Sequence, residues 1–170
     1  VLDLSDIRAY LGLGRAYTEI GDYDNAAANL LLALEIDHRS TNAYTELGNV
    51  YVRQERPDEA LRMFQAAVVA DPSNREAFFN LGALYMAGTR YNDALRNFNR
   101  ALEIDPRLKL AYYYRAMCFL LTGRKPEAVD EFSRLRRLAV EDADEQLVQD
   151  IDRELNKIKS LSLDDIPQFE

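Results

Sequence analysis

The chain has 170 residues, 48% of them hydrophobic, which is enough for a sizeable core. Its formal net charge of −8 argues against a general nucleic-acid binder. The longest apolar runs fall far short of the roughly 20 residues of a membrane span, so we expect no direct membrane insertion. A single cysteine, Cys118, excludes an internal disulfide framework and fits a reducing compartment, so we expect a cytoplasmic protein.

A repeat of 34 residues runs through most of the chain. Each copy centres on a small residue, usually preceded by leucine, and these small residues are Gly14, Gly48, Gly82 and Ala116. An aromatic residue stands four positions before each of them: Tyr10, Tyr44, Phe78 and Tyr112. Another stands three positions after: Tyr17, Tyr51, Tyr85 and Phe119. Four copies in one register, with no insertion, indicate an internal repeat, which decides the architecture.

In chain order, each copy contains two stretches of about 14 residues with helical spacing of apolar side chains. We therefore predict a lead-in over residues 1–6 and repeat units over residues 7–40, 41–74, 75–108 and 109–142. Turn signals separate the two helices of each unit: Gly21-Asp22, Pro57-Asp58, Gly88-Thr89, and Gly123 with Pro126. Pro57 and Pro126 suit a first helical position, where the missing N–H costs nothing.

The second helix of each unit carries an alanine and, four positions later, a large apolar residue. The alanines are Ala26, Ala60, Ala94 and Ala128, and the large residues are Leu30, Phe64, Phe98 and Phe132. We expect the alanines to be the surfaces against which the small residues of the first helices pack.

After residue 142 the repeat ends and a different pattern begins. Leu147, Ile151, Leu155 and Ile158 share one face of a helix whose other positions are mostly charged. We predict one amphipathic helix over residues 143–160, followed by an acidic tail over residues 161–170.

The repeat resembles the tetratricopeptide repeat (TPR) family, whose signature has an aromatic residue, Leu-Gly, Tyr, Ala, Phe and Pro at these spacings. Arg115 stands where the other units have leucine, which is a variant that the family tolerates. The resemblance implies an all-α fold, a right-handed superhelical solenoid of antiparallel helix pairs. It also implies that residues 143–160 form a helix capping the last unit.

Nothing in the sequence indicates an enzyme. His38 lies in a turn, and Cys118 occupies a core place of its helix, equivalent to Val50. We see no nucleophile–base pair, metal cluster or phosphate-binding loop, and we predict no catalytic residue, no metal and no cofactor.

The resemblance implies that the first helix of each unit lines a concave groove for a segment of a partner protein. In the first two units, the places that face this groove hold polar residues of mixed charge, among them Thr45. In the last two units they are largely aromatic and aliphatic, and such exposed surfaces commonly bind partners. We predict that the groove residues are Arg15, Asn49, Arg53, Phe79, Asn80, Met86, Tyr113, Tyr114 and Met117.

Two other interpretations stay open beside this interaction module. Co-chaperones of the family clamp an acidic chaperone tail with lysine, arginine and asparagine, but only Asn49 and Asn80 match here and the cations are absent. Alternatively, the chain is a scaffold that forms homo-oligomers through its capping helix, its tail or its end faces. The tail stretch LDDIPQF combines acids with Ile166 and Phe169, which would suit a neighbour's groove.

Overall fold

A computed structural model describes residues 6–160 and places nine α-helices within them, with no strand in that range. The helices are α1 (Ile7–Glu19), α2 (Tyr23–Ile36), α3 (Thr41–Arg53), α4 (Pro57–Ala70), α5 (Arg75–Ala87), α6 (Tyr91–Ile104), α7 (Lys109–Leu121), α8 (Lys125–Glu141) and α9 (Glu145–Ser160). The predicted acidic tail and its role in self-assembly lie outside the described residues, as does most of the lead-in. None of the helices among residues 6–160 is both long and apolar enough to cross a membrane.

Short polar side chains begin several of these helices, as capping requires. The carboxylate of Asp22 accepts a hydrogen bond from the backbone N–H of Asn25 at 3.2 Å, and Ser40 Oγ accepts one from Ala43 at 3.3 Å. Pro57 is the first residue of α4, where its lack of an N–H is harmless. The predicted helix starts therefore have local physical causes.

The turn inside each unit has the same backbone geometry four times. Gly21, Glu55, Thr89 and Gly123 all have positive φ, between 58° and 79°. The N–H of the next residue bonds to a carbonyl five residues back, as in Asp22 to Tyr17 at 2.9 Å. This is a Schellman ending, in which the left-handed residue is usually glycine. In the second and third repeats this position holds Glu55 and Thr89, whose side chains are unfavourable at positive φ.

Thr89→Gly is expected to stabilise the protein by about 1 kcal/mol, because a β-branched residue is strained in the left-handed region. Gly21→Ala, at the equivalent turn, is the reverse control and should destabilise by a similar amount. Urea unfolding followed by circular dichroism measures both free energies. A destabilised Thr89→Gly variant would contradict the assignment of strain to this turn.

The described chain divides into two compact units, each larger than one repeat and called unit one and unit two from here on. The boundary between them falls between Leu81 and Gly82, inside α5. In unit one, residues 1–81, α1 packs on α2, α3 on α4, and α2 on α3. In unit two, residues 82–170, α7 packs on α6 and α8, and α9 packs on α8. Each unit is described by itself below.

The small residues of the first helices pack against large side chains, which corrects the prediction that alanines are their counterparts. A Cβ atom on Gly48 would lie 2.5 Å from the Phe64 ring, and one on Gly82 would lie 2.6 Å from the Phe98 ring. Ala60 is buried as well, but the glycine at position 48 makes room for the phenylalanine one turn further along α4.

The amphipathic helix over the last repeat is confirmed. Ile151, Leu155 and Ile158 of α9 are buried in one cluster with Phe132 and Leu135 of α8. Leu147 is half-buried at the edge of this cluster. Outside the cluster, Arg136 donates two hydrogen bonds to the Asp152 carboxylate, at 2.7 and 3.1 Å, which hold the pKa of Asp152 below its usual value. The apolar side of α8 is thereby covered within unit two.

Candidate protein-interaction faces

The polar face of unit one consists of side chains on α1, α3 and the first part of α5. Arg15 of α1 forms an ion pair with Glu46 of α3. The amide of Asn80 donates to Asn49 Oδ1 at 2.9 Å, and the amide of Asn49 donates to Glu76 Oε1 at 3.4 Å. The two asparagines thus hydrogen-bond one another and tie α3 to α5, although each side-chain amide still has hydrogen-bonding capacity for a partner.

The charges on this face are unevenly compensated. Burial raises the pKa of the Glu46 carboxyl above its ordinary value, the Arg15 guanidinium opposes this effect, and the nearby Glu76 carboxylate adds to it. The face therefore carries a carboxylate that is partly withdrawn from water and lies close to a second negative charge. It does not provide the ring of cations that a chaperone-tail clamp needs.

Arg53 lies at the edge of the polar face and is exposed. It makes no ion pair with any residue between positions 6 and 160. A cavity of about 520 Å³ lies beside it and is also lined by Arg15, Thr18, Tyr23 and others. Phe79, another predicted groove residue of unit one, is half-buried.

Thr45 does not face a groove, contrary to the prediction. It is buried, and its hydroxyl donates to the Thr41 carbonyl at 2.9 Å. The same hydroxyl accepts from the side-chain amide of Asn74 at 2.9 Å, while Asn74 Oδ1 accepts from the Ala77 N–H and caps α5. Thr45 is therefore part of the contact between α3 and the start of α5.

The aromatic face of unit two is built on α7. Tyr113 is 37% exposed and its neighbour one turn back, Leu110, is 58% exposed. The Tyr113 ring meets the edges of two others, Tyr114 at 5.7 Å and Phe132 at 5.8 Å between centroids. Tyr114 in turn stacks on Phe98 at 6.1 Å. Core rings thus fix the orientation of Tyr113, and its hydroxyl makes no hydrogen bond to a described residue.

Two other predicted groove residues of unit two are less accessible to a partner than Tyr113. Met117 is half-buried and packs against the cluster that α9 completes, together with Leu120. Met117, which the repeat pattern had assigned to the groove, therefore contributes to this cluster. Met86 is half-buried in α5.

Arg115 is far more than a tolerated variant of leucine. Its guanidinium donates to Glu131 Oε2 at 2.9 Å and to Asn99 Oδ1 at 2.6 Å. The Arg115 side chain is 12% exposed and that of Glu131 is 6% exposed, so this is a nearly buried ion pair. The sequence holds a second departure from the repeat that could have indicated this ion pair. Glu131 stands where the other repeats have Asn29, Met63 and Asn97.

The sequence analysis also did not predict a cation–aromatic contact that recurs in three of the repeats. Arg56, Arg90 and Arg124 occupy equivalent places and cover the rings of Tyr51, Tyr85 and Phe119 at 4.4 to 4.6 Å. Each of these arginines also pairs with an acidic residue three positions on. Their spacing of 34 residues could have revealed this structural device, which covers the aromatic residue of the signature.

No residue set among positions 6–160 has the composition of a metal site. Cys118 is buried in α7, and burial raises the pKa of its thiol to about 11. A thiol with that pKa is protonated at neutral pH and is a poor nucleophile.

Comparison with known families identifies the repeat. A model described as "Tetratricopeptide repeat" matches residues 45–107 and 81–143, and one described as "TPR repeat" matches residues 14–55. The chain belongs to the tetratricopeptide repeat family, and the predicted all-α fold class is confirmed. Members of this family are generally non-enzymatic protein-interaction modules.

Solved structures share the fold at low sequence identity. MamA superposes with a TM-score of 0.78 at 23% identity, over 84% of this chain and 83% of its own. YrrB, a TPR protein with an unusual peptide-binding site, gives 0.71 at 23% identity, over 92% and 88%. PilF of Pseudomonas aeruginosa gives 0.71 at 19% identity, over 92% and 78%. No curated protein matches the sequence.

Proposed function

We propose that this chain is a non-enzymatic interaction module whose α7 face binds an apolar segment of a partner protein, in peptide or helical form. The observation that carries the proposal is the pair Leu110 and Tyr113, which stay exposed although α9 covers the adjacent side of the last repeat. Adjacent exposed apolar side chains beside a fixed aromatic ring form the kind of surface that interaction sites use.

The surroundings of Tyr113 suit an anchor for a partner. Its ring is held edge-on by Tyr114 and Phe132, so binding would cost little side-chain entropy. Its hydroxyl can still bond to a partner, and this combination of apolar area with a polar tip explains why tyrosine is enriched in binding hot spots. Leu110 adds aliphatic area one turn away.

The charged groups nearest this face are already paired. Lys109 lies 2.7 Å from the Asp142 carboxylate, and Arg107 forms ion pairs with Glu141 and Asp142. A strongly charged partner segment would have to compete with these pairs, whereas an apolar segment would not. The partner's contact residues on this face are therefore aliphatic or aromatic.

The polar face of unit one has a separate role in the proposal. Asn49 and Asn80 would bind the backbone of an extended segment, and Arg15 and Arg53 would select its charge. The description of YrrB as peptide-binding supports this use of the fold but says nothing about the partner of this chain.

Leu110→Arg is expected to abolish binding of apolar peptides with little effect on stability, because Leu110 is a mainly exposed residue. Short random peptides displayed on phage are selected against the wild-type chain, and the enriched sequences are measured by fluorescence polarisation against the variants. Val69→Arg, at a site 80% exposed on α4, makes the same change of charge elsewhere.

Loss of binding in Leu110→Arg but not in Val69→Arg supports the proposal, and Tyr113→Phe should then weaken binding several-fold if the hydroxyl is used. Enriched peptides that bind Leu110→Arg as tightly as the wild type, or that carry no apolar residues, would overturn it.

A further inference from the structure

A cleft beside α8 carries more positive charge than the described residues around it neutralise. It has a volume of about 290 Å³ and is lined by Tyr112, Arg134, Arg137, Leu138 and Glu141, and we call it the α8 cleft. Arg134 and Arg137 are three residues apart, so they are neighbours on one side of the helix. Two like charges at this spacing repel each other, which costs stability unless another group compensates them.

The preceding repeat shows the compensated form of the same arrangement. In α6 the equivalent places hold Arg100 and Glu103, which form an ion pair at 2.7 Å. In α8 the second of these places holds Arg137. This side chain is exposed and forms no ion pair with any residue that the structure describes. The place that supplies a counter-charge in α6 therefore supplies a second cation in α8.

The acids near the cleft are already engaged by other arginines. Arg134 donates to the Glu131 carboxylate at 3.2 Å, but Arg115 donates to the same carboxylate at 2.9 Å. One carboxylate therefore serves two guanidinium groups. Glu141, the acid that lines the cleft, forms an ion pair with Arg107 at 2.9 Å. Excess positive charge therefore remains at the opening of the cleft.

The helix dipole does not account for Arg137. A cation gains from the negative end of a helix only within the last turn, and α8 extends to Glu141 with no basic residue in its last turn. Arg136 differs, because its two hydrogen bonds to Asp152 connect α8 to α9. Arg137 has neither role among the described residues, and its charge is available to a ligand.

The size and walls of the cleft indicate what it can take. Its volume of about 290 Å³ lies at the lower limit of small-molecule pockets, roughly 300–1,000 Å³, so it suits one or two side chains rather than a cofactor. Guanidinium groups bind carboxylates through paired hydrogen bonds. Tyr112 and Leu138, both half-buried, provide an apolar wall beside the two arginines. A nucleic acid fits less well, because the chain has a net charge of −8 and Glu141 lies at the same opening.

We propose that the α8 cleft binds an acidic segment of a partner protein. One carboxylate of the segment pairs with Arg134 and Arg137, and an adjacent apolar side chain packs on Leu138 and Tyr112. Because the ionic contact is exposed, binding is weak and depends on salt. The cleft and the apolar α7 face consist of different residues, so either proposal can fail without the other.

Fluorescence polarisation of a labelled peptide of alternating glutamate and leucine, titrated with the full chain, tests the proposal. The peptide is expected to bind, more weakly at about 0.15 M salt than at low salt, whereas a glutamine–leucine peptide should not bind. Arg137→Glu should raise the dissociation constant of the acidic peptide about tenfold or more, since a like charge then faces its carboxylate. Arg62→Glu makes the same change at an exposed arginine of α4 and should bind like the wild type.

Reversing the charge of the cleft tests where the peptide binds. Arg134→Glu combined with Arg137→Glu should bind a lysine–leucine peptide more tightly than the wild type does. Apolar peptides selected on the α7 face should bind Arg137→Glu as they bind the wild type. Thermal unfolding verifies that each variant folds, and Arg134→Gln is the second test of the cleft if Arg137→Glu does not fold.

Three results would overturn the proposal directly: no binding of the acidic peptide at concentrations up to about 1 mM, unchanged binding in Arg137→Glu, or an equal loss in Arg62→Glu. A glutamine–leucine peptide that binds equally well would exclude recognition of a carboxylate. Single-stranded DNA of the same length that binds as tightly as the acidic peptide would show that the cleft attracts anions in general, and it would overturn the proposal as well.

Discussion

Arg115→Ala is expected to lower the free energy of unfolding by about 3–5 kcal/mol, the cost of leaving one member of a buried ion pair alone. Glu131 has its side chain 6% exposed and accepts from Arg115 at 2.9 Å. Without the guanidinium, the only charged partner left to its carboxylate among residues 6–160 is Arg134, at 3.2 Å on the exposed side of the same helix. Chemical unfolding monitored by circular dichroism measures the loss.

The matched double variant separates the ion pair from the packing. Arg115→Leu combined with Glu131→Leu should recover most of the loss, because apolar replacement of a buried pair is often neutral or better. Leucine already fills the equivalent place at Leu47 and Leu81. Arg153→Ala removes an exposed ion pair and should cost less than about 1 kcal/mol. If Arg115→Ala behaved like Arg153→Ala, the pair would contribute nothing as a buried unit.

Ile151→Ala is expected to destabilise unit two by about 2–5 kcal/mol, since it removes methyl groups from a filled core and leaves a cavity. Ile151 is 2% exposed and lies in the cluster that joins α9 to α8. Weaker packing of α9 should also uncover apolar surface around Phe132 and Leu135. Thermal unfolding, together with the fluorescence of a dye that binds exposed apolar surface, measures both effects.

The control for this variant lies on the opposite side of the same helix. Gln149→Ala changes an exposed residue of α9 and should alter stability by less than about 0.5 kcal/mol. Equal effects of Ile151→Ala and Gln149→Ala would mean that α9 does not stabilise the last repeat by burial.

The repeat register made most of the helical structure predictable. The turn between the two helices of each repeat is an example. One residue of the turn has a positive φ and the next N–H makes the same hydrogen bond, whether that residue is Gly21 or Thr89. The amphipathic pattern of Ile151, Leu155 and Ile158 was equally decisive for α9. In these cases local propensity and apolar spacing lead to one result.

The candidate faces were less predictable, because exposure depends on neighbours that the repeat pattern does not describe. The pattern treats Tyr113, Tyr114 and Met117 as equivalent groove residues. In the structure Tyr114 stacks on Phe98, Met117 is taken up by the cap cluster, and Tyr113 alone combines a fixed ring with substantial exposure. Thr45 was misassigned for the same reason, since its hydroxyl accepts a hydrogen bond from Asn74, the residue just before α5.

The sequence by itself determined the repeat, its register and the all-helical family, because a spacing of 34 residues fixes which side chains share a helix face. The tertiary structure decided how equivalent positions of the repeats differ in exposure and in pairing. Leu47 of α3 is buried in one cluster with Leu30 of the preceding helix α2, whereas the equivalent Leu13 of α1 is 37% exposed. Arg115 is buried where a leucine was expected because Glu131 and Asn99 lie within hydrogen-bonding distance. Burial and pairing are properties of neighbours in space, and a linear pattern records only neighbours along the chain.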